Sequence, residues 1–317
     1  MRPGFPSPHI QSIGGGASVR QLPISGSFSA QYRIFQMDVA TRAAMTRNVC
    51  DALAEDVGNI DWTSQLVDPA ASAEAVLTVR EAALLCGRPW FEETLRRYEP
   101  GITIRWFVGE GEWMREGQAV CQIAGPARSI LTAERTALNF IQLLSGVATA
   151  THALVEIVKG TRARILDTRK TLPGLRLAQK YAVRIGGGEN HRRGLYDGIL
   201  IKENHVAAGG GIAPTVRAAQ VIGAGVPVQV EVETLDELAQ ALSADAGAIL
   251  LDNFSLEQMR EAVRINNGRA SLEVSGGVTK ETLRAIAETG VDRISVGGLT
   301  KHVRAVDFSL RVEALGA

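Results

Sequence analysis

Apolar and polar positions divide the chain into stretches of different period. From residue 1 to about 40 the hydrophobic residues follow no sustained repeat and are broken by Pro3, Pro6, Pro8, Gly14, Gly15, Gly16, Pro23 and Gly26, so residues 1–40 are expected to form an extension of weak structure. Residues 42–55 return to helical spacing and stop at Gly58. Between about 74 and 126, strand-like runs at Ala75 to Val79, Ile102 to Val108 and Ala119 to Ile123 alternate with glycine turns and one helix around Trp90 to Arg97. That mixture predicts a small α+β domain over 41–145. A long helix is then expected from Thr132, as its cap, to Val158, with Leu138, Ile141, Leu144 and Val147 at spacings of three. It should bridge two domains.

Six buried-strand runs follow: Ala163 to Asp167, Gly198 to Ile201, Val228 to Val232, Ala248 to Leu251, Leu272 to Val274 and Arg293 to Val296, mostly with helical segments between them. Continuous apolar strands alternating with helices read as a parallel sheet covered by helices, and six in series favour a closed or nearly closed α/β barrel. This second domain is expected over 146–317, ending in a C-terminal helix.

Composition narrows the partners. Lys plus Arg and Asp plus Glu number 34 each, so no global field draws nucleic acid or an anionic membrane surface. Cys50, Cys86 and Cys121 lie far apart without CxxC spacing, which argues against a disulfide framework or a zinc site. No apolar run is read as approaching the roughly 18 to 20 residues of a membrane span, and no signal-peptide pattern opens the chain, so a cytoplasmic protein is expected. The piece Gly109 to Gln118 looks like a hammerhead turn of biotin and lipoate carriers, but their modified lysine is missing and a structural role is expected.

In α/β barrels the site lies at the C-terminal ends of the strands. The residues there are Asp167-Thr168-Arg169-Lys170-Thr171, Lys202-Glu203-Asn204-His205, Glu231-Val232-Glu233, Asp252-Asn253, Ser275-Gly276-Gly277 and Gly297-Gly298. The early strands supply cations: residues 162–193 hold nine Lys and Arg against Asp167 and Glu189. A solvated basic face is the bland alternative, yet Arg169 and Lys170 directly follow a buried strand, where they can grip carboxylate or phosphate. The late strands supply glycines, whose backbone amides can close on a phosphate. The middle strands supply carboxylates. Glu231 and Glu233 share one face of a strand and Asp252 ends the next, an arrangement that suits either a hard cation or simple pairing with Lys170 or Lys202. The segment Gly186 to Gly194 can fold over a ligand, with His191 and Arg192 as candidate donors, whereas His152 and His205 are read as structural.

The strings DTRKT, PGLR, KYAVR, NHR, GLYD, LIKENH, EVE, LLDN, SGG and ISVGGLTKH, in this order between about Ala52 and Arg311, resemble the quinolinate phosphoribosyltransferase family of NAD biosynthesis. The resemblance implies an N-terminal open sandwich followed by an incomplete TIM-like barrel. It implies that Arg169, Lys170, His191, Arg192 and Lys202 bind the carboxylates of quinolinate and the phosphates of phosphoribosyl pyrophosphate, with Thr168 beside them. Glu233 and Asp252 would lie at the ribose and at magnesium, the metal being held mostly through substrate and water, with Glu231 adjacent. Glu233, Asp252, Lys170 and Lys202 are thereby expected at the reacting centre. Ser275, Gly276, Gly277, Gly297 and Gly298 would hold the 5'-phosphate, with Lys301 standing where some members have histidine. Arg135 would reach into the neighbouring subunit's site, which implies a homodimer. The extension before Ala40 has no family counterpart.

The reaction so implied is attack of the pyridine nitrogen on C1 of the phosphoribosyl group, loss of pyrophosphate, and decarboxylation to nicotinate mononucleotide. Three other readings compete: the related phosphoribosyltransferase of molybdenum transport loci, an aldolase-like barrel with Lys170 or Lys202 as Schiff base, and a non-catalytic phosphate-binding or assembly protein.

Overall fold

The computed structural model describes residues 37–223 and 225–316, so the expected 1–40 extension lies outside the described residues except at its end, where a helix has already begun. That helix, α1 (Val39–Val57), starts at Asp38, whose side chain accepts the Thr41 amide at 2.7 Å.

The N-terminal sheet runs in the order β12-β1-β5-β3, built from β1 (Ser72–Val79), β3 (Thr103–Trp106), β5 (Ala119–Pro126) and β12 (Phe308–Gly316), all antiparallel. Period-two alternation buries Ala73, Ala75, Leu77 and Val79 of β1 against α2 (Arg88–Tyr98) and the first half of α3 (Ala127–Val158). A short ladder of β2 (Ala83–Leu84) with β4 (Trp113–Met114) completes this domain. The hammerhead-like turn is structural, as expected. Its half-buried Glu110 accepts the Gly87 and Arg88 amides at the start of α2 and the Tyr181 hydroxyl, at 2.8, 3.1 and 3.0 Å.

Two expectations about elements are corrected. The long helix starts at Ala127, directly after Pro126, and Thr132 is buried inside it, donating to Asp61 Oδ2 at 2.8 Å and to Arg128 O at 2.9 Å instead of capping. The chain ends in a strand, not a C-terminal helix: β12 returns to pair with β1, with Phe308 opposite Val79. The bridging role of the long helix holds, since Ile130, Ala137 and Ile141 belong to the N-terminal core while Leu154 and Val158 belong to the barrel core. α3 has the length and apolar composition to cross a membrane, contrary to the expectation that no run approaches this, but half of that stretch is buried inside the fold.

The second sheet is six-stranded and parallel, in the order β6-β11-β10-β9-β8-β7, from β6 (Arg164–Leu166), β7 (Ile199–Ile201), β8 (Val228–Val232), β9 (Ala248–Asp252), β10 (Ser271–Ser275) and β11 (Arg293–Ser295). β6 and β7 are its two edges and do not pair, so the barrel is incomplete. α4 (Arg176–Ile185) follows β6, α5 (Glu203–Ala208) and α6 (Ile212–Ile222) follow β7, and α7 (Leu235–Ser243), α8 (Leu256–Asn266), α9 (Lys280–Ala287) and α10 (Gly298–Lys301) follow the remaining strands in turn. Capping boxes at Thr234 with Glu237, Ser255 with Gln258 and Thr279 with Thr282 start α7, α8 and α9 just past their strands. Helix starts so fixed hold the strand-end residues in place.

Candidate active site

The C-terminal ends of β6 to β11 bring most of the expected residues together. At the end of β6, Asp167 is fully buried and ion-paired with buried Lys180 of α4. Its oxygens also accept the Asn190 amide at 2.6 Å and the His191 backbone N–H at 2.9 Å, and Lys180 donates to His191 O at 2.8 Å. Burial raises the Asp167 carboxyl and lowers the Lys180 ammonium, and each partner works against that effect on the other. This buried pair ties Asn190 and His191 to β6. In the sequence it is visible only as two charges among many.

Beyond Asp167 the strand end turns outward. Thr168 Oγ1 accepts the Lys170 amide at 3.0 Å, and Lys170 O accepts the Thr300 hydroxyl of α10 at 2.7 Å. A Cβ on Gly297 would come within 3.0 Å of Lys170 Cδ and 3.5 Å of Thr168 Oγ1. The DTRKT turn and the last glycine loop therefore form one wall, because β6 pairs with β11. Gly276, at φ +92°, approaches β9 so closely that a Cβ would lie 2.1 Å from Asn253 Oδ1. Ser275 O accepts the Asn253 amide at 3.1 Å, and Gly277 faces open space. Gly298 begins α10, and Lys301 ends it, exposed.

Arg192 donates from its guanidinium to Gly198 O at 3.1 Å and lies within range of the Arg169 charge. Burial and then the Arg169 charge lower the Arg192 guanidinium from its ordinary value, with Asp197 opposing them. Two guanidiniums that feel each other's charge favour binding of an anion nearby. Arg176 braces both segments: its guanidinium donates to Arg193 O at 3.0 Å, Arg169 O at 3.3 Å and Thr171 Oγ1 at 3.1 Å.

The acids lie opposite. Lys202 Nζ donates to Glu231 Oε2 at 2.6 Å. Burial and then the Glu231 charge push Asp252 above its ordinary carboxylate value, while Lys202 and Lys170 pull it back. These four charged groups form one cluster. Glu233 does not join it: β8 ends at Val232, Glu233 is exposed, and its backbone amide donates to Glu237 Oε2 at 2.7 Å as α7 starts. Of the two acids, Glu231 is the one paired with Lys202.

His191 is tied into the protein by its ring. Its Nδ1 accepts the Arg192 amide at 2.8 Å and its Nε2 meets Gln229 Oε1 at 3.0 Å, so both nitrogens are engaged within the protein. His152 packs against Trp113 with ring centroids 5.6 Å apart, and His205 Nδ1 accepts the Lys202 amide at 3.0 Å; both are structural, as expected. Arg135 is exposed on α3. A polar cleft of about 420 Å³ opens at the other end of the barrel, near Arg164, Glu189, Ser271, Asp292 and Arg293, and none of the residues at the C-terminal strand ends lines it.

A barrel with cations on its first strands, acids on its middle strands and glycine loops on its last is the architecture of an enzyme that handles phosphorylated, carboxylated small molecules. Models described as the C-terminal and N-terminal domains of quinolinate phosphoribosyl transferase match residues 147–311 and 61–145, and the chain belongs to this family. It is 42% identical to the nicotinate-nucleotide pyrophosphorylase [carboxylating] of Mycobacterium leprae, over 82% of this chain and 94% of that protein. It is 39% identical to the probable nicotinate-nucleotide pyrophosphorylase [carboxylating] of Bacillus subtilis, over 81% and 90%. The solved nicotinate-nucleotide pyrophosphorylase of Francisella tularensis superposes with a TM-score of 0.85 at 46% identity, covering 88% of this chain and 99% of that one.

Proposed function

We propose that this chain joins quinolinate to phosphoribosyl pyrophosphate and releases nicotinate mononucleotide, pyrophosphate and carbon dioxide, in the de novo synthesis of NAD. The name carried by its relatives describes the same chemistry in reverse. The observation that carries the reading is the mouth itself, where Lys202 pairs with Glu231 beside Asp252 and Lys170, with Arg169 and Arg192 on the segments that follow β6 and α4.

The pyridine nitrogen attacks C1 as the bond from C1 to the pyrophosphate oxygen breaks. The 2-carboxylate then leaves as carbon dioxide, its electron pair passing to the pyridinium ring, where a proton takes its place. Arg169, Arg192, Lys170 and Lys202 hold two polyanions together against their mutual repulsion, which is an orientation effect. Glu231 and Asp252 face the cationic charge that builds on the ribose, and stabilise it electrostatically. Ser275, Gly276, Gly277, Gly297 and Gly298 offer backbone to the 5'-phosphate, with Thr168 and Lys301 at the edge. No side chain needs to become a nucleophile, and a Lys202 ammonium engaged by Glu231 is poorly suited to a Schiff base.

Magnesium fits these residues. Glu231 and Asp252 crowd each other, so a divalent cation would relieve their repulsion, and among the described residues no group of three His, Cys, Asp or Glu forms a ready metal cage. That is the pattern for a metal held by one or two carboxylates with substrate phosphates and water, where it would neutralise the leaving pyrophosphate. We place the reaction in a reducing cytoplasm, in keeping with Cys50, Cys86 and Cys121 as free thiols. Arg135, exposed on α3, is proposed to complete the site of a second subunit in a homodimer.

The test is direct. Purified protein with quinolinate, phosphoribosyl pyrophosphate and magnesium should give nicotinate mononucleotide and carbon dioxide in equal amounts, and omitting magnesium should stop it. Absence of product at micromolar enzyme would sink the reading.

A further inference from the structure

The interior of the barrel, below the charged mouth, contains a polar chain that the reaction as described does not use. Glu273 on β10 is 1% exposed. Its Oε2 accepts the Gln229 side-chain amide of β8 at 3.0 Å, and its Oε1 is buried with no hydrogen-bond partner. Gln229 in turn presents its own Oε1 to His191 Nε2 at 3.0 Å, and Glu273 Oε1 lies 3.6 Å from the same nitrogen. On the far side of the ring, Nδ1 accepts the Arg192 amide. A nitrogen that accepts a backbone N–H carries no proton, so the imidazole proton sits on Nε2 and points at Gln229 and Glu273.

We propose that Glu273, acting through Gln229, is the positioning residue of the quinolinate half of the site, an inference that rests on the reading above. The carboxylate orients the Gln229 amide, the amide fixes the His191 tautomer and ring plane, and the ring holds the backbone of Arg192. An unpartnered buried carboxylate oxygen costs more than a lone polar atom at the surface, so its retention needs a reason. Here the second oxygen stands ready as an alternative acceptor for the same N–H, which keeps the ring in one tautomer when Gln229 shifts. Its effect reaches the site through Arg192, and with that guanidinium assigned to the dicarboxylate as part of this inference, it falls on binding of quinolinate and not of the sugar phosphate.

The test is Glu273→Gln, which keeps volume but removes one acceptor. Whichever way the new amide turns, it sets donor against donor, at His191 Nε2 or at Gln229 Nε2. With ¹⁵N-histidine labelling and His191→Asn to assign the signal, the wild-type ring should show the Nε2–H tautomer, and E273Q should lose or mix it. KM for quinolinate should rise on the order of 10-fold, with KM for phosphoribosyl pyrophosphate changed less than about 2-fold. An unchanged tautomer, or KM values that move together, overturns the proposal. If E273Q does not fold, Gln229→Met cuts the same link and is read in the same way. Should the wild type make no nicotinate mononucleotide, the functional reading fails by itself, while the tautomer still reports on the relay.

Discussion

Lys202 and Glu231 form an ion pair at 2.6 Å, and Asp252 is close enough to Glu231 for the second carboxylate to raise the first. Two acids and two lysines in this arrangement stabilise a cation only if both acids are present at the moment charge develops. Replacing Glu231 with Gln removes one of them and leaves Lys202 without its partner. E231Q should lower kcat by about 10²-fold or more, the scale of losing one preorganised electrostatic contact, while E233Q should stay within about 2-fold of the parent. Steady-state kinetics on the two variants decide between the neighbours, and the opposite ranking would return the role to Glu233. Sequence places both on one face because a strand repeats every two residues, but it does not place the end of β8, where Thr234 and Glu237 start the next helix. Gln229 and Glu273 escape a sequence reading for a related reason. Apolar neighbours make their strands look wholly buried, and only the closing of the barrel brings a residue of β8 and one of β10 to the same imidazole. Asp167 and Lys180 are thirteen positions apart on different elements, so their pairing has no local signal.

α1 reaches the active-site side of the barrel through its first turn. Asp38 caps the helix and also pairs with Arg193, next to Arg192. The Thr41 side chain and amide, and then Arg193, hold the Asp38 carboxyl down to about 2 from an ordinary 3.8. A depressed folded-state value means that this group stabilises the fold fully above about pH 4, and that the contribution fades as pH falls toward about 2. The side chain is 38% exposed, so solvent screening keeps the whole effect below about 1 kcal/mol. Asp38→Asn keeps a capping oxygen and removes the charge. Urea denaturation should show the variant less stable than the parent at pH 7, with the gap shrinking as pH falls below about 4 and closing only below about pH 2; a gap that does not change with pH would count against the assignment. Among elements, the six barrel strands are legible because continuous apolar runs between helical segments have few other meanings. The start of α3 is hard to place because Thr132 is a good cap in isolation, whereas Pro126 sets the true start and Asp61 gives the Thr132 hydroxyl another partner. The final strand does carry a local signal: Phe308, Leu310 and Val312 alternate with polar residues, as β pairing requires.

At the scale of the molecule, α3 links the two cores and carries Arg135 on an exposed face. The barrel is open between β6 and β7, and the loop of His191 and Arg192 follows β6, so the cationic half of the site is built beside the gap. An exposed arginine on a rigid helix can serve a second copy's site without movement of its own backbone, and a two-fold arrangement would make the donation reciprocal. In such a dimer each site contains Arg169 from one subunit and Arg135 from the other. Arg135→Ala and Arg169→Ala should each abolish most activity alone. After mixing under conditions that let subunits exchange, half of the dimers would be mixed, and each of those would hold one site with both arginines and one with neither. Activity should then return to about a quarter of the parental value per subunit. The expected recovery depends on exchange, so it should rise with incubation time and be absent when the two variants are mixed and assayed at once. Mixed samples that never exceed the sum of the separate variants, although exchange is shown by mass spectrometry of differently labelled chains, would place Arg135 outside the neighbouring site.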